Sequence, residues 1–436
     1  MSSLNTMQKR IGPKTFEGAK AAFQTPRKKL ERLTLAHMLW EDQFYIDGKS
    51  SAELLANTVD SVLAPEVAEI AKLARTRFKM RHVPLMLMRE LARTGRLKAD
   101  ALNDVIQRPD EIGEFLSLYW KDKKTPVSNQ VKKGLAQAFG KFNEYQLAKW
   151  DKNSAKISLR DAMFLTHPKP QSAEQAALFA KIANKELETP DTWETQLSAG
   201  ADKRETFTRL MAEGKLGALA FLRNLRNMAT AGVSNDVIKT YSLGLDVSKV
   251  LPFRYIAAVR VVPQFKSMLE EMMMKSLASH PKLPGKTVLL VDVSGSMFGV
   301  KVSAKSDIDR FDAAAALAML CREVCEEVEI YSFSNHVRKI ADTFRGFALV
   351  DAIKNSQPNS GTNTGPAVKS INQGVRYDRI MVFTDEQSNS VLPQPQGRGY
   401  IINVASYEHS IASGAWESIT GFSEAIVDYI QAFEAE

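Results

Sequence analysis

The residues best suited to chemistry are Asp292, Ser294 and Ser296, three short oxygen-bearing side chains at alternate positions. They follow an apolar run at 286–292 that is typical of a buried parallel strand, and open α/β sheets bind ligands at the carboxyl ends of such strands. Gly295 allows the tight turn that would direct the three oxygens at one cation. The alternative interpretation is a Ser/Gly turn that contains an incidental aspartate.

Two later segments could contribute to the same site. The loop at 360–364 carries hydroxyl groups ahead of a predicted helix, and both Thr362 and Thr364 are candidates. Asp385 follows an apolar strand predicted at 380–384. Oxygen ligands without histidine or cysteine favour a hard cation, Mg²⁺ or Mn²⁺. Two carboxylates would nearly neutralise the ion, so an open coordination position could accept a partner's carboxylate without any catalysis.

Basic residues form a second group of candidates, concentrated in the first two thirds of the chain. The sequence has 58 Lys and Arg against 50 Asp and Glu, a net charge of +8. Residues 285–436 hold 13 basic and 19 acidic residues, a charge of −6, which leaves +14 on residues 1–284. Such an asymmetry is typical of a polyanion binder, and a solvated basic surface is the alternative.

His167 is the most specific residue of this basic part. Ser158 and Asp161 have the spacing of a capping box, so a helix begins there, and it must end before Pro168. The helix dipole then favours a protonated imidazole at His167, which could pair with phosphate or stack on an unpaired base. The alternative is a structural histidine. Basic residues surround it in the sequence: Lys132, Lys133, Lys149, Arg160 and Lys169.

The segment 216–228 (LGALAFLRNLRNM) predicts a helix with two arginines on one face, Arg223 and Arg226. Asn224 and Asn227 are poor residues for a helix interior, so they indicate a hydrogen-bonding role. The alternative is a core helix whose polar face is solvated.

The pattern of apolar residues divides the chain of 436 residues into a lead-in and two domains. Residues 1–28 are a basic lead-in. Residues 29–283 read as successive helices separated by short Gly/Pro breaks, which predicts an α-solenoid or bundle. From 284 to 436 strands alternate with helices, which predicts a doubly wound parallel sheet. The strands are predicted at 286–292, 328–333, 380–384 and 400–405, and the helices at 307–327, 365–373 and 422–433.

Several classes of protein are excluded. Two cysteines do not support a disulfide framework and fit a reducing cytosol. The chain lacks an apolar run of about 18 residues, so no membrane span is expected. The polar, basic start differs from a secretory signal, and a cytoplasmic protein is therefore expected. Motifs of phosphate-binding loops, zinc proteases and serine hydrolases are absent, so no enzyme activity is predicted.

These motifs resemble two known modules. The D-x-S-x-S turn, the later threonine and the later aspartate resemble the metal-ion-dependent adhesion site of von Willebrand factor A domains. In this sequence the family pattern falls on Asp292, Ser294, Ser296, Thr362 and Asp385. The segments at 39–45, 157–170, 216–228 and 251–255 resemble the TROVE module of the Ro autoantigen and its bacterial relatives.

The resemblance implies a ring-like α-solenoid of HEAT-like helical repeats over 29–283, closed by a von Willebrand A domain over 284–436. It further implies a ribonucleoprotein component that acts in noncoding-RNA quality control. Single-stranded 3′ ends of misfolded RNA would enter the ring, and a small Y-like RNA would bind outside. An exoribonuclease is an expected partner, and the protein is expected to be a monomer that binds no membrane. The RNA-binding residues would be Lys132, Lys133, Lys149, Arg160, His167, Lys169, Arg223 and Arg226.

Two other functions compete with RNA binding. One is a protein-adhesion scaffold that recruits its partner through the metal, with RNA binding secondary. The other is a metal-dependent phosphoesterase. The +14 charge of the helical part favours RNA binding over adhesion. The motif offers neither a general base nor a second metal, which disfavours the phosphoesterase.

Overall fold

The computed structural model describes residues 25–36, 45–46, 49–151, 155–248, 250, 253–278, 281–301, 308–388, 390–405, 411–420 and 425–435. The chain divides into two units. One, here called the helical unit, comprises residues 52–276. The other, called the sheet unit, comprises residues 277–436 together with the residues before 52.

The helical unit contains only helices and their connections among the residues that the structure describes, as the sequence predicts. None of the described helices is long and apolar enough to cross a membrane. The helices are α2 (Ser51–Val59), α3 (Ala64–Thr76), α4 (His82–Arg93), α5 (Ala99–Val105), α6 (Asp110–Tyr119), α7 (Asn129–Phe139), α8 (Glu144–Trp150), α9 (Leu159–Thr166), α10 (Ala173–Asn184), α11 (Trp193–Ser198), α12 (Lys203–Ala212), α13 (Ala218–Thr230), α14 (Asn235–Leu243), α15 (Phe253–Val261) and α16 (Lys266–Leu277).

Neighbouring helices of this unit pack in two rows. One row runs from α3 through α5 and α7 to α9, and α4 packs on α6, which in turn packs on α9. Apolar residues three and four apart produce this arrangement, since Leu85, Met88 and Leu91 of α4 are all buried. Helices α5 and α7 approach closely at Gly134, where a Cβ atom would lie 2.7 Å from the carbonyl oxygen of Ala99.

The sheet unit contains a six-stranded sheet in the order β5-β4-β3-β6-β7-β8 among the described residues. All neighbouring pairs are parallel except β4 and β5, which are antiparallel. A separate antiparallel pair joins β1 to β2. The strands are β1 (Tyr45–Ile46), β2 (Lys49–Ser50), β3 (Leu283–Asp292), β4 (Cys325–Phe333), β5 (Val337–Ile340), β6 (Arg379–Thr384), β7 (Arg398–Asn403) and β8 (Trp416–Thr420).

Helices of the sheet unit confirm most of the predicted elements and add one. They are α1 (Pro26–Ala36), α17 (Arg310–Val324), α18 (Gly346–Lys354), α19 (Thr364–Gly374) and α20 (Ala425–Ala435). Helix α17 ends three residues earlier than predicted because Cys325 begins β4. The prediction lacked α18, β5 and β8. Strand β5 also makes the sheet mixed, where a wholly parallel sheet was expected.

Helix α1 belongs to the sheet unit, which differs from the predicted division at residues 28 and 29. It packs on β8, and Lys28 Nζ lies 2.8 Å from Glu417 Oε2. Its buried residues Leu30 and Leu33 give the helix an apolar face. This face explains why α1 packs on the sheet and does not extend freely as part of a lead-in.

Candidate metal centre and nucleic-acid interface

The D-x-S-x-S turn lies at the end of β3, between β4 and β6 in the sheet. Asp292 and Ser294 are fully buried, whereas Ser296 is half-buried in a short 3₁₀ turn at Gly295–Met297. The Ser294 amide donates to Asp292 Oδ1 at 2.8 Å, and the hydroxyls of Ser294 and Ser296 are 3.3 Å apart. The turn therefore gathers the three oxygen-bearing side chains.

Asp385 comes to the same place because β6 is the parallel neighbour of β3. Val291 is in register with Phe383, and the Thr384 hydroxyl donates to Asp292 Oδ2 at 2.7 Å. Asp385 is fully buried. Burial, and secondly the charge of Asp385, raise the pKa of Asp292 well above its usual range. The structure thus brings together the two carboxylates that the sequence analysis assigned to one site.

The loop at 360–363 lies against this turn. The Gly295 amide donates to the Ser360 carbonyl at 2.9 Å, and the Asn363 amide donates to the Ser334 carbonyl beyond β4. Thr362 is half-buried within the loop. Thr364 begins α19, and its buried hydroxyl has no hydrogen-bond partner among the described residues. Thr362 as the ligand stays a prediction.

The donor set fits a hard divalent cation. Asp292 and Asp385 are two buried carboxylates beside hydroxyl groups, and buried charges are costly unless an opposite charge compensates them. Arg310 pairs with Asp385, whereas Asp292 has no cationic partner among the described residues. The buried hydroxyl of Thr364, at the start of α19, also lacks a hydrogen-bond partner among them. The described part of the chain has no group of three or more His, Cys, Asp or Glu side chains that could hold a metal ion. Further ligands beside the two aspartates would therefore be Ser and Thr hydroxyls.

Arg310 is a residue of this site that sequence reasoning missed. It is the first residue of α17, and its Nη1 donates to Asp385 Oδ2 at 2.9 Å. The side chain is largely buried, so the ion pair is shielded from water. Helices that follow a strand in an α/β sheet begin near the carboxyl ends of the strands. This rule could have predicted from the sequence that a residue at the start of α17 lies near the site.

Lys132 and Lys133 lie on α7, and Lys169 follows α9, to which α7 packs. Lys133 and Lys169 are exposed. Across the residues that the structure describes, no carboxylate lies within ion-pair distance of these three lysines. The structure therefore places uncompensated positive charge on α7 and on the connection that follows α9.

His167 lies where the capping argument predicted. The Ser158 hydroxyl accepts the Asp161 amide at 3.1 Å, and α9 extends over Leu159–Thr166. His167 is the C-cap residue and has a left-handed backbone, with φ 50° and ψ 57°. Its side chain is exposed, so it is not a core histidine.

Arg223 and Arg226 are exposed on α13, as the spacing predicts. Asn224 is buried, and its side-chain amide donates to the Ala220 carbonyl at 3.0 Å. The side-chain amide of Asn227 donates to Asn224 Oδ1 at 3.1 Å. The hydrogen bonds that the sequence predicted for the two asparagines are therefore made within α13 itself. Helix α13 packs on α12 and α15, so its arginines belong to a different part of the unit from α7 and α9.

A cavity of about 550 Å³ also lies in the helical unit, between α6 and the connection from α8 to α9. The Arg108 guanidinium stacks over the Trp150 ring at 3.5 Å from its centroid. Arg81 and Arg108 both pair with Asp110, whose Oδ2 lies 2.5 Å from Arg81 Nη2 and 2.6 Å from Arg108 Nη2. Both arginines of this cavity are thus already paired with carboxylates.

Residues 183–279 match the family model of the TROVE domain. The chain is also similar to the crystal structure of the Deinococcus radiodurans RO (RSR) protein, with a TM-score of 0.62 and 20% identity over 93% of this chain and 99% of that chain. Residues 183–279 are thus similar to the TROVE domain, and the chain shares the fold of that Ro protein. No curated protein sequence matches it.

The TROVE match extends from the end of α10 to the end of α16. It confirms the resemblance inferred from the sequence, and it includes Arg223 and Arg226. The other basic candidates precede the matched residues, so their assignment to RNA stays a prediction: Lys132, Lys133, Lys149, Arg160, His167 and Lys169.

Proposed function

We propose that this TROVE-containing chain is an RNA-binding protein whose helical unit holds single-stranded RNA. The observation that carries the proposal is the set of exposed cations without a carboxylate partner among the described residues. Lys133 on α7 and Lys169 in the connection after α9, with Arg223 and Arg226 on α13, are available to phosphates. Phosphate contacts supply much of the affinity of such proteins.

The proposal extends to a ribonucleoprotein that acts in the cytoplasm in noncoding-RNA quality control. Its RNAs would be the 3′ ends of misfolded transcripts and a small Y-like RNA, and an exoribonuclease would be the partner that degrades what it captures. The proposal assigns no catalytic step to the chain itself. The TROVE match and the Ro fold support it.

The test is the salt dependence of affinity for a labelled single-stranded RNA. The logarithm of affinity is expected to fall against the logarithm of salt concentration with a slope near −0.7 per phosphate contact. Replacing Lys132 and Lys133 by alanine should make the slope shallower and weaken different RNA sequences about equally, because phosphate contacts position the RNA without reading its bases. The matched control replaces the adjacent basic pair Arg338 and Lys339 of the sheet unit. An affinity that stays flat from low to physiological salt contradicts the proposal.

A second function is favoured by the buried pair Asp292 and Asp385. We propose that the sheet unit holds Mg²⁺, or Mn²⁺, through Asp292, Ser294, Ser296, Thr362 and Asp385. The bound cation would supply a positive centre with an open position for a partner's carboxylate. The chain's own residues would orient that ion and exclude water from its inner side. Metal-dependent protein capture without RNA affinity would make adhesion the main function.

A further inference from the structure

Helix α9 has a sharply divided surface. Its buried residues include Ala162, Met163 and Thr166. The outer side carries Phe164 and, at the C-cap, His167, and Phe164 is 49% exposed. Single exposed apolar residues are ordinary, so exposure alone does not indicate a site. The surroundings of Phe164 distinguish it from the other exposed apolar residues.

Arg160 lies one turn before Phe164 and is held over its ring. The guanidinium carbon is 5.0 Å from the ring centroid, and Arg160 Nε donates to the Ala183 carbonyl of α10 at 2.6 Å. The two terminal nitrogens make no hydrogen bond to any described residue. A planar cation fixed beside an exposed ring offers a base-stacking surface and a phosphate donor together.

Helix α8 also carries an exposed ring beside a cation, in the reverse order along the helix. Tyr145 is 53% exposed, and Lys149 Nζ, one turn later, is 5.8 Å from its ring centroid. Glu144 beside it pairs with Lys181 of α10 at 2.7 Å. Because Lys181 and Ala183 are two residues apart, Arg160 and the residue before Tyr145, Glu144, both contact the same end of α10.

The cations beside the two rings are not themselves paired with carboxylates. Lys149, Arg160 and Lys169 form no ion pair with any described residue, although Glu186 and Glu188 lie near Lys181. Asp161 accepts the Ser158 hydroxyl at 2.7 Å, and Glu144 is neutralised by Lys181.

We propose that Phe164 and Tyr145 are stacking platforms for two unpaired bases of a single-stranded RNA, with Arg160 and Lys149 on the flanking phosphates. This inference rests on the proposed RNA-binding function and assigns residues to it. Stacking tolerates every base, so the surface would bind single strands with little sequence preference. A duplex, whose bases are already stacked and paired, would not engage the rings.

The experiment measures fluorescence anisotropy of a labelled uridine-rich single strand with the full chain and with Phe164→Leu. Leucine keeps the apolar volume and the neighbouring charges but removes the aromatic face. The expected result is an affinity loss of about tenfold, in the range for one stacked base, with an unchanged salt slope. Tyr145→Leu should act similarly. The matched control is Phe344→Leu, since Phe344 is a 40% exposed phenylalanine of the sheet unit.

A second readout separates stacking from a structural role. Phe164→Trp should retain affinity, and its tryptophan fluorescence in excess of that of the wild-type protein, which has five tryptophans, should be quenched when the strand binds. Equal affinity of the wild-type protein and Phe164→Leu, or an unquenched tryptophan, overturns the inference while leaving RNA binding intact. A wild-type protein that does not bind the strand at all overturns the proposed function instead.

Discussion

Arg310 supplies a positive charge within the candidate metal site itself. Its ion pair with Asp385 is largely shielded from water, and such a pair partly offsets the cost of burying two carboxylates. A divalent cation and this guanidinium would compete for the Asp385 carboxylate. Metal binding would therefore require Arg310 to give up part of its interaction with Asp385.

Asp292→Asn should abolish most of the metal affinity, because it removes a direct ligand charge while keeping the size of the side chain. The loss should exceed the roughly 10- to 100-fold effect typical of residues behind a ligand. Calorimetric titration with Mg²⁺ measures it, and RNA affinity should be unchanged because the cationic helices belong to the other unit. Asp342→Asn, an exposed residue beyond β5, is the control for loss of one charge. Unaltered Mg²⁺ affinity in Asp292→Asn would show that the site is assigned wrongly.

Arg310→Gln should strengthen Mg²⁺ binding, because it removes the cation that competes for Asp385. A tightening of about tenfold lies within the usual range of coupling between two binding events. The same titration applies, with Arg322→Gln at the other end of α17 as the control; Arg322 pairs with Glu323, away from the site. A weaker Mg²⁺ affinity would mean that Arg310 supports the site. An unchanged affinity would mean that Arg310 does not compete with the ion.

Among the elements of the helical unit, α3 and α6 are joined by a buried ionic network. The fully buried Glu111 carboxylate accepts Arg75 Nη2 at 2.6 Å and the amides of Gln107 and Arg108 at 2.7 and 3.0 Å. Burial raises the pKa of Glu111, and the charge of Arg75 opposes that shift. The network fixes the start of α6 against α3.

Glu111→Ala should destabilise the helical unit by about 3–5 kcal/mol, because it leaves Arg75 buried without its partner. Urea denaturation followed by tryptophan fluorescence measures the shift of the midpoint. Asp104→Ala, which removes an exposed partner of Lys72, should cost at most about 1 kcal/mol. A similar small shift for both variants would show that the network contributes no more than a surface ion pair.

The elements that sequence could predict are those specified by local signals. Helix α9 has its cap at Ser158 and its limit at Pro168, and strand β6 is a continuous apolar run. The four-residue strand β5 was missed because Val-Arg-Lys-Ile is short and does not alternate apolar with polar side chains, so it resembles a loop. The position of α1 was also missed, because an apolar helix face indicates burial but not which element covers it.

The candidate sites show the same limit. The side chains of the D-x-S-x-S turn converge because the pattern itself encodes the geometry, and Asp385 follows from parallel strand pairing. Arg310 and Phe164 depend on contacts between elements that are distant in the sequence or on exposure that composition does not reveal. Arg160 was predicted as a phosphate contact, whereas its aromatic partner became evident only from the ring geometry.

At the scale of the whole molecule, charge and function are divided along the chain. Residues 285–436 carry −6 and residues 1–284 carry +14. RNA should therefore be attracted mainly to the helical unit, which carries +9, because the sheet unit includes the basic residues before 52 and is close to neutral at −1. This division lets the metal site and the RNA surface be tested by separate variants of one protein.

RNA with a single-stranded 3′ tail should bind more tightly than the same hairpin with a blunt end. Stacking surfaces require unpaired bases, which a single-stranded tail offers and an A-form duplex does not. Filter binding at fixed salt, with a hairpin carrying a 5′ tail of the same length as the control, tests both the tail and its polarity. Equal affinity for tailed and blunt hairpins would leave only an outer basic surface as the site.

The membership of α1 in the sheet unit has a consequence for biosynthesis. Lys28 of α1 and its partner Glu417 are 389 residues apart, and a ribosome adding about 5–20 residues per second needs roughly 20–80 s to travel between them. During that interval the apolar face of α1 has no strand β8 to cover it, and the whole helical unit is synthesised before β8. The sheet unit is thus completed after the helical unit, and α1 of a nascent chain should stay exposed to chaperones and proteases until β8 has been translated.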